Sequence, residues 1–167
     1  MTTNEQMSPV SSSESLPESL SGVPSGVPSG ESSVSASMRG VILFGHGARD
    51  ARWAEPFERL AGRVAALSAL SQTSVTTDAS GPITLAYLEM MTPDLATAVA
   101  EQVTAGCTII TIVPIFFGTG AHLRRDFPVL MDACRATHPS VTITSAPPVG
   151  EDDGVLDAIG NYVLKVW

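Results

Sequence analysis

Three polar residues stand at the ends of three separate apolar runs. His46 lies in Gly45-His46-Gly47, Glu89 closes Ala86-Tyr87-Leu88-Glu89, and His122 follows Gly118-Thr119-Gly120-Ala121. Glycines beside a histidine let the backbone turn tightly and leave the imidazole unshielded. Two imidazoles and a carboxylate suit a first-row divalent metal such as Co, Fe, Ni or Zn, because imidazole nitrogen is a borderline ligand and a carboxylate can bind or orient. The same imidazoles can accept protons, since an unperturbed histidine has a pKa of about 6.5. Metal ligation and base catalysis are both open at this stage. The third histidine, His138 in Thr137-His138-Pro139, reads instead as a helix-end charge or an exposed turn residue.

Arg49, Arg52, Arg124 and Arg125 flank the first two histidines, in a chain with nine basic residues and a net charge of −8. Such clustering points to an anionic ligand, because a guanidinium fork pairs with carboxylates or phosphates. The competing reading is solvated helix starts with salt-bridged ends. Gly45 and Gly120 complete the candidate binding set by letting a ligand approach the backbone.

These residues need elements that bring them to one edge. The run 41–44 is a buried strand, and Asp50 caps a helix over 51–70 that turns Trp53, Phe57, Leu60, Val64 and Leu67 inward. Pro56 confines the start of that helix, being tolerable only in its first turn. A polar loop over 71–82 leads to a second strand at 83–88. Thr92 caps, and Pro93 and Asp94 open, a helix with Leu95, Val99 and Val103 inward that stops at Gly106. The third strand, 108–117, is apolar almost throughout, as a central parallel strand covered on both faces would be. Asp126 then caps a helix carrying Leu130, Met131 and Cys134 inward, a fourth strand spans 141–145, and a last helix spans 153–166. The alternation predicts an α/β fold, a three-layer sandwich with a four-stranded, mainly parallel sheet. His46, Glu89 and His122 then share its carboxyl-terminal edge, where ligands of open α/β sheets bind.

Of the 167 residues, the first 37 carry no Lys, Arg or aromatic side chain and are dominated by Ser, Pro and Gly, with Ser-Gly-Val-Pro repeated at 21–24 and 25–28. Such a segment cannot bury enough apolar surface to offset an ordering cost of about 1–2 kcal/mol per residue, so residues 1–37 are expected to be a disordered tail and 38–167 the domain. It has neither the apolar run of a signal peptide nor the arginines of a transit peptide. Met38, directly before the first strand, is an alternative start, which an intact mass including 1–37 would refute. No apolar run reaches the roughly 20 residues of a membrane span. The acidic balance argues against nucleic acid or an anionic membrane as partner. Cys107 and Cys134 form no C-x-x-C pair and sit in apolar contexts, which suits buried reduced thiols in a cytoplasmic protein.

Taken together, three stretches resemble the small sirohydrochlorin chelatases of the CbiX type: the strand followed by Gly45-His46-Gly47-Ala48-Arg49-Asp50, the strand end Ala86-Tyr87-Leu88-Glu89, and Val113-Pro114-Ile115-Phe116-Phe117 leading to Gly120-Ala121-His122-Leu123-Arg124-Arg125-Asp126-Phe127-Pro128. The resemblance runs in order over 41–149. It implies a chelatase-like fold and an enzyme, a lyase that inserts Co²⁺ or Fe²⁺, and in some members Ni²⁺, into a sirohydrochlorin-type tetrapyrrole, for cobalamin or sirohaem. The metal is then a substrate and no cofactor is permanently bound. It further implies His46 and His122 as the metal-handling and proton-accepting pair, with Glu89 beside them, and arginines around a carboxylate-rich substrate. Ala48 stands where the family commonly has Ser, and the 71–80 loop is longer than usual; neither removes a catalytic group.

The rival readings are weaker. A histidine phosphatase would need Arg directly before His46, where Gly45 stands, and an α/β-hydrolase would need a G-x-S-x-G elbow that the sequence lacks. A non-catalytic metal or tetrapyrrole carrier would use the same site without turnover. One small domain offers a large planar substrate a single wall, so a homodimer is expected to supply the second.

Overall fold

The computed structural model describes residues 37–71, 79–118 and 120–167, the side chains at 79, 121 and 122 excepted. The expected tail thus lies outside the described residues apart from Ser37, as do Thr119 and residues 72–78 of the polar loop. Four strands follow, β1 (Met38–Gly45), β2 (Ala79–Tyr87), β3 (Ile109–Pro114) and β4 (Thr142–Ser145), in the spatial order β2-β1-β3-β4. Every pairing is parallel, so the sheet expected to be mainly parallel is wholly so. β2 begins earlier than its apolar run because Ala79 already pairs with Met38.

Helices α1 (Glu55–Ser71), α2 (Leu95–Thr104), α3 (Ala121–Thr137) and α4 (Asp153–Val166) follow the strands in turn, α1 and α4 each after a short 3-10 turn. Side-chain alternation separates the layers. Ile42, Phe44, Ile110, Ile112 and Ile143 form one cluster with Leu95, Ala98 and Val99 of α2 and Leu123, Met131 and Cys134 of α3. On the opposite face Phe57 of α1 lies against Gly45 and Tyr87, and Val155 of α4 shares a depression with Val113. The two faces are unequally filled: α2 buries Leu95, Ala98, Val99 and Gln102, whereas α1 and α4 bury nothing.

Gln102 joins the layers far from the sheet's ligand edge. Its Nε2 donates to the carbonyls of Val41 (2.8 Å) and Pro82 (3.2 Å) and lies 2.9 Å from Thr84 Oγ1. Its Oε1 occupies the space that a side chain at Gly40 would need, which explains a glycine inside β1.

Four expectations need correcting. Asp94, not Thr92, caps α2, accepting from the Thr97 N–H at 2.8 Å. The carbonyl of Pro93 is taken by the Tyr87 N–H, so the helix cannot begin earlier. α3 begins at Ala121 behind Gly120, so Asp126 is within the helix and caps nothing, and Pro128 sits in its second turn. Of the residues expected inward along the first helix, Trp53, in the 3-10 turn before α1, and Leu67 point outward, 37% and 63% exposed, and Trp53 packs against Phe57 at 4.6 Å instead of entering the core. β3 is a central strand yet alternates half-buried and buried, because the α4 side covers it thinly. The last helix spans 153–166 as its sequence pattern indicates.

Candidate functional site

β1 and β2 stay joined beyond their last paired residues, and that junction builds the site. Leu88 N–H donates to the Gly45 carbonyl at 2.9 Å, and Glu89 N–H to the His46 carbonyl at 3.0 Å. Gly47 then turns away with φ of 90°, a left-handed conformation that side chains disfavour, and a Cβ there would overlap the carbonyl oxygen of Glu89. Gly45 is equally constrained, since its Cβ would come within 2.8 Å of the Phe57 ring. Gly47 therefore lets the two loops lie against each other, and Gly45 lets α1 pack on the end of β1.

The result is a pair: His46 Nδ1 stands 3.3 Å from Glu89 Oε1, both side chains about half exposed (52% and 45%). A carboxylate beside Nδ1 favours the tautomer protonated there, which leaves the Nε2 lone pair for a cation or a proton. Behind it the edge of Phe116, 8% exposed, meets the His46 ring at 6.1 Å and 90°. Neighbouring Met90, 59% exposed, holds φ at 62°, a left-handed turn paid for locally by the Met91 N–H donating to the Glu89 carbonyl at 2.8 Å.

His122 falls in the first turn of α3, directly beyond β3, so its backbone stands at the same strand edge as His46 and Glu89; its side chain lies outside the description. Among the described residues no three His, Cys, Asp or Glu side chains converge as a metal cluster. Glu89 and Asp126 share a depression of about 330 Å³ with Leu88, Val129 and Leu130. A second, of about 210 Å³, lies between Pro114, Leu123, Phe127, Pro128, Ala146 and Pro148, with Arg124 among its lining residues. Both are mainly apolar, with charge at the wall, as ligand sites generally are.

The other arginines divide. Arg52 holds Asp50 through Nη2 at 2.9 Å, and with the Arg52 backbone N–H this pushes the Asp50 carboxyl below its ordinary range. Arg125 is tied to Asp126 at 2.9 Å. These two are the salt-bridged helix ends of the competing reading. Arg49 is exposed in the loop after Gly47. Gly120 caps α3 with open space around it. Cys107 and Cys134 are free and buried, and burial raises both thiols above their ordinary pKa. His138 ends α3 as its C-cap. Phe116, Met90 and the spacing role of Gly47 went unread in the sequence; Gly-His-Gly signalled the last, and nothing in Met90-Met91 signals a left-handed turn.

The family model CbiX matches residues 40–165. Sirohydrochlorin cobaltochelatase of Saccharolobus solfataricus is 27% identical over 136 residues, 78% of this chain and 97% of that protein. Sirohydrochlorin ferrochelatase of Bacillus subtilis is 32% identical over 82 residues, 49% of this chain but only 31% of that longer protein. Among solved structures, a CbiX protein of Marinobacter aquaeolei VT8 superposes with a TM-score of 0.61 at 33% identity, covering 76% of this chain and 95% of that one. The cobalt complex of the sirohydrochlorin chelatase SirB from Bacillus subtilis subspecies spizizenii gives 0.61 at 22% identity, a likeness of fold, with 77% of this chain covering 51% of that one.

Proposed function

Because this chain belongs to the CbiX family, we propose that it is a sirohydrochlorin chelatase, a lyase that inserts Co²⁺ or Fe²⁺ into a sirohydrochlorin-type tetrapyrrole and releases two protons. The observation that carries the reading is the His46–Glu89 pair, 3.3 Å apart at the carboxyl edge of a parallel sheet, with the His122 backbone at the same edge. Metallation requires three things of the protein: replacing water around the cation, presenting it to the ring nitrogens, and taking up the pyrrole protons. Glu89 holds His46 with Nε2 free, and its negative charge favours a divalent cation. His46 and His122 serve first as ligands of the incoming metal and then, as the ring takes it, as acceptors of the protons. The apolar depressions give the macrocycle a surface and Phe116 backs the His46 ring, while Arg124 and Arg49 meet the carboxylates. Arg52 and Arg125 contribute only if they exchange their own acids for the substrate's. Gly120, with open space around it, leaves room for a planar ring to approach, whereas Gly45 makes room for Phe57.

The metal is a substrate in this scheme, and no resident cofactor is required. The product would enter cobalamin or sirohaem synthesis. A homodimer supplies the second wall, consistent with a chain that covers about half of the SirB structure. The free, buried thiols of Cys107 and Cys134 support a cytoplasmic location, and the net charge of −8 argues against nucleic acid or an anionic membrane as partner; no described helix is long and apolar enough to cross a membrane.

The test is absorbance-monitored metallation of sirohydrochlorin with Co²⁺, Fe²⁺ and Ni²⁺ by the wild type, His46→Ala and His122→Ala. Insertion that either substitution abolishes is the expected result. A wild-type rate no faster than the protein-free reaction, with tight binding of metal or tetrapyrrole, would overturn the enzyme in favour of a carrier.

A further inference from the structure

His46 is held by a carboxylate, and α3 carries the means to hold His122 in the same way. Asp126, Val129 and Leu130 line the depression that reaches Leu88 and Glu89 at the end of β2. His122 precedes those three residues by four, seven and eight positions. At about 3.6 residues per turn its backbone therefore stands on the same face of α3, one turn nearer the carboxyl edge of the sheet. Leu123, Arg124, Phe127 and Pro128 line the other depression, beside Ala146 and Pro148. The start of α3 thus parts an acidic hollow towards β2 from a basic one beyond β4, and His122 belongs by position to the acidic one.

Asp126 has the reach to serve it. Helical side chains lean back over the preceding turn, and residues four apart have Cβ atoms about 5–6 Å from each other. A carboxylate on so short a stem meets the turn that carries His122. Arg125 Nε donates to Asp126 Oδ1 at 2.9 Å, but that pair is open to water, its side chains 76% and 35% exposed, and such a pair adds little hold. A carboxylate accepts from several donors at once. The other acid of α3, Asp132, lies ten residues beyond His122 and bonds Arg135 at 3.0 Å, and Glu89 already serves His46.

We propose that Asp126 is the positioning residue for His122: its carboxylate accepts one ring N–H of that histidine and leaves the lone pair of the other nitrogen for the incoming cation, as Glu89 does for His46. The proposal rests on the chelatase reading above and deepens it, since a cation handled by two histidines then meets two nitrogens prepared alike. It also gives a purpose to an acid inside α3 that caps nothing. Ligating histidines generally give their second N–H to such a partner, and its loss costs about 10–100-fold in metal affinity or activity.

Equilibrium Co²⁺ binding, followed by the visible absorbance of the bound ion, and metallation kinetics of the full chain test it. The variants are Asp126→Asn, Asp126→Glu, His122→Ala and His122→Ala/Asp126→Asn, each checked for folding by circular dichroism. Asp126→Asn keeps the shape and removes the charge; it is expected to weaken Co²⁺ binding about tenfold and to lower kcat by a similar factor, with KM for sirohydrochlorin unchanged. Asp126→Glu, which restores the charge, should recover most of that loss. In the His122→Ala background Asp126→Asn should not weaken Co²⁺ binding further, because a residue that acts through His122 has nothing left to act on. Binding and kcat of Asp126→Asn within about twofold of the wild type would overturn the proposal. So would a second, equal loss of Co²⁺ binding in the His122→Ala background, the mark of a direct ligand, or a change confined to KM, the mark of a contact with the tetrapyrrole. His122→Ala that binds and metallates like the wild type would overturn the role of His122 and this proposal with it. A wild type that metallates no faster than free solution, while Co²⁺ binding follows the expected pattern, would overturn the chelatase and leave Asp126 supporting the histidine of a metal carrier.

Discussion

Gly47→Ala should separate what holds the fold from what sets the rate. The backbone there has φ of 90°, so any L side chain carries a conformational cost of about 1–2 kcal/mol. The new methyl would also overlap the Glu89 carbonyl oxygen, whose own N–H is bonded to His46 at 3.0 Å. Carbon and oxygen not bonded to each other need van der Waals separation, so one loop must retreat from the other by about an ångström. A misplacement of about that size costs on the order of a hundredfold in rate when it falls between groups that must act together. The expectation is a fall of about that factor in the Co²⁺ metallation rate constant. Melting should drop by several degrees, from the conformational cost alone. Stopped-flow absorbance and differential scanning calorimetry on the same preparation report the two. A variant that melts lower yet metallates within about threefold of the wild type would refute the claim that loop spacing sets the rate.

Gly62→Ala is the matched control: that glycine is in the middle of α1 with open space around its missing Cβ, so melting should rise, reflecting about 0.5–1 kcal/mol. Glu89→Gln keeps the shape beside His46 and removes the charge; the metallation rate should fall about 10–100-fold with the melting temperature nearly unchanged. Gln102→Leu leaves the carbonyls of Val41 and Pro82 without their donor inside the protein, and urea unfolding should show a loss of about 2–3 kcal/mol. Asp94→Ala removes the α2 cap and should cost about 1 kcal/mol at neutral pH. The Thr97 backbone N–H, and then its hydroxyl, hold Asp94 below its ordinary pKa of 3.8, so its contribution is present above that value and lost as pH falls through the lowered one. The deficit of the Ala variant should therefore shrink in acid, which urea titrations at pH 6 and about pH 3 would compare.

How much of this was legible in sequence depends on whether a signal was local. α4 was bounded correctly because Asp152 and Asp153 open it and its stripe is regular. The strand ends at Gly45 and Glu89 were legible because an apolar run stopping at a glycine or an acid is a one-dimensional feature. α2 and α3 were misplaced at their starts for a reason outside their own residues. Tyr87 claims the Pro93 carbonyl, which shifts the cap to Asp94, and Gly120 starts α3 with no side-chain cap to advertise it. Pro128 costs α3 one hydrogen bond, to the Arg124 carbonyl, and the helix carries that loss in its second turn. On α1, periodicity predicted burial that the described residues do not provide: Leu67 keeps the right spacing and stays outside.

The site itself shows why the arrangement must come from the backbone. A histidine and a carboxylate that are both about half exposed attract each other weakly, since water screens them and each loses side-chain freedom in pairing. Burying them would strengthen the pair and shut out a planar substrate, so strength and access oppose each other. The loops resolve this without burial: the two N–H bonds from Leu88 and Glu89 fix the relative height of the β1 and β2 ends, and Gly47 lets the Glu89 carbonyl approach. The Phe116 edge limits the swing of the imidazole from behind. Orientation is thus set by main-chain bonds that no substrate competes for, and the side chains remain free to exchange partners. The proposed role, to hold a cation and then release it, needs that freedom, and a tightly buried pair would lack it.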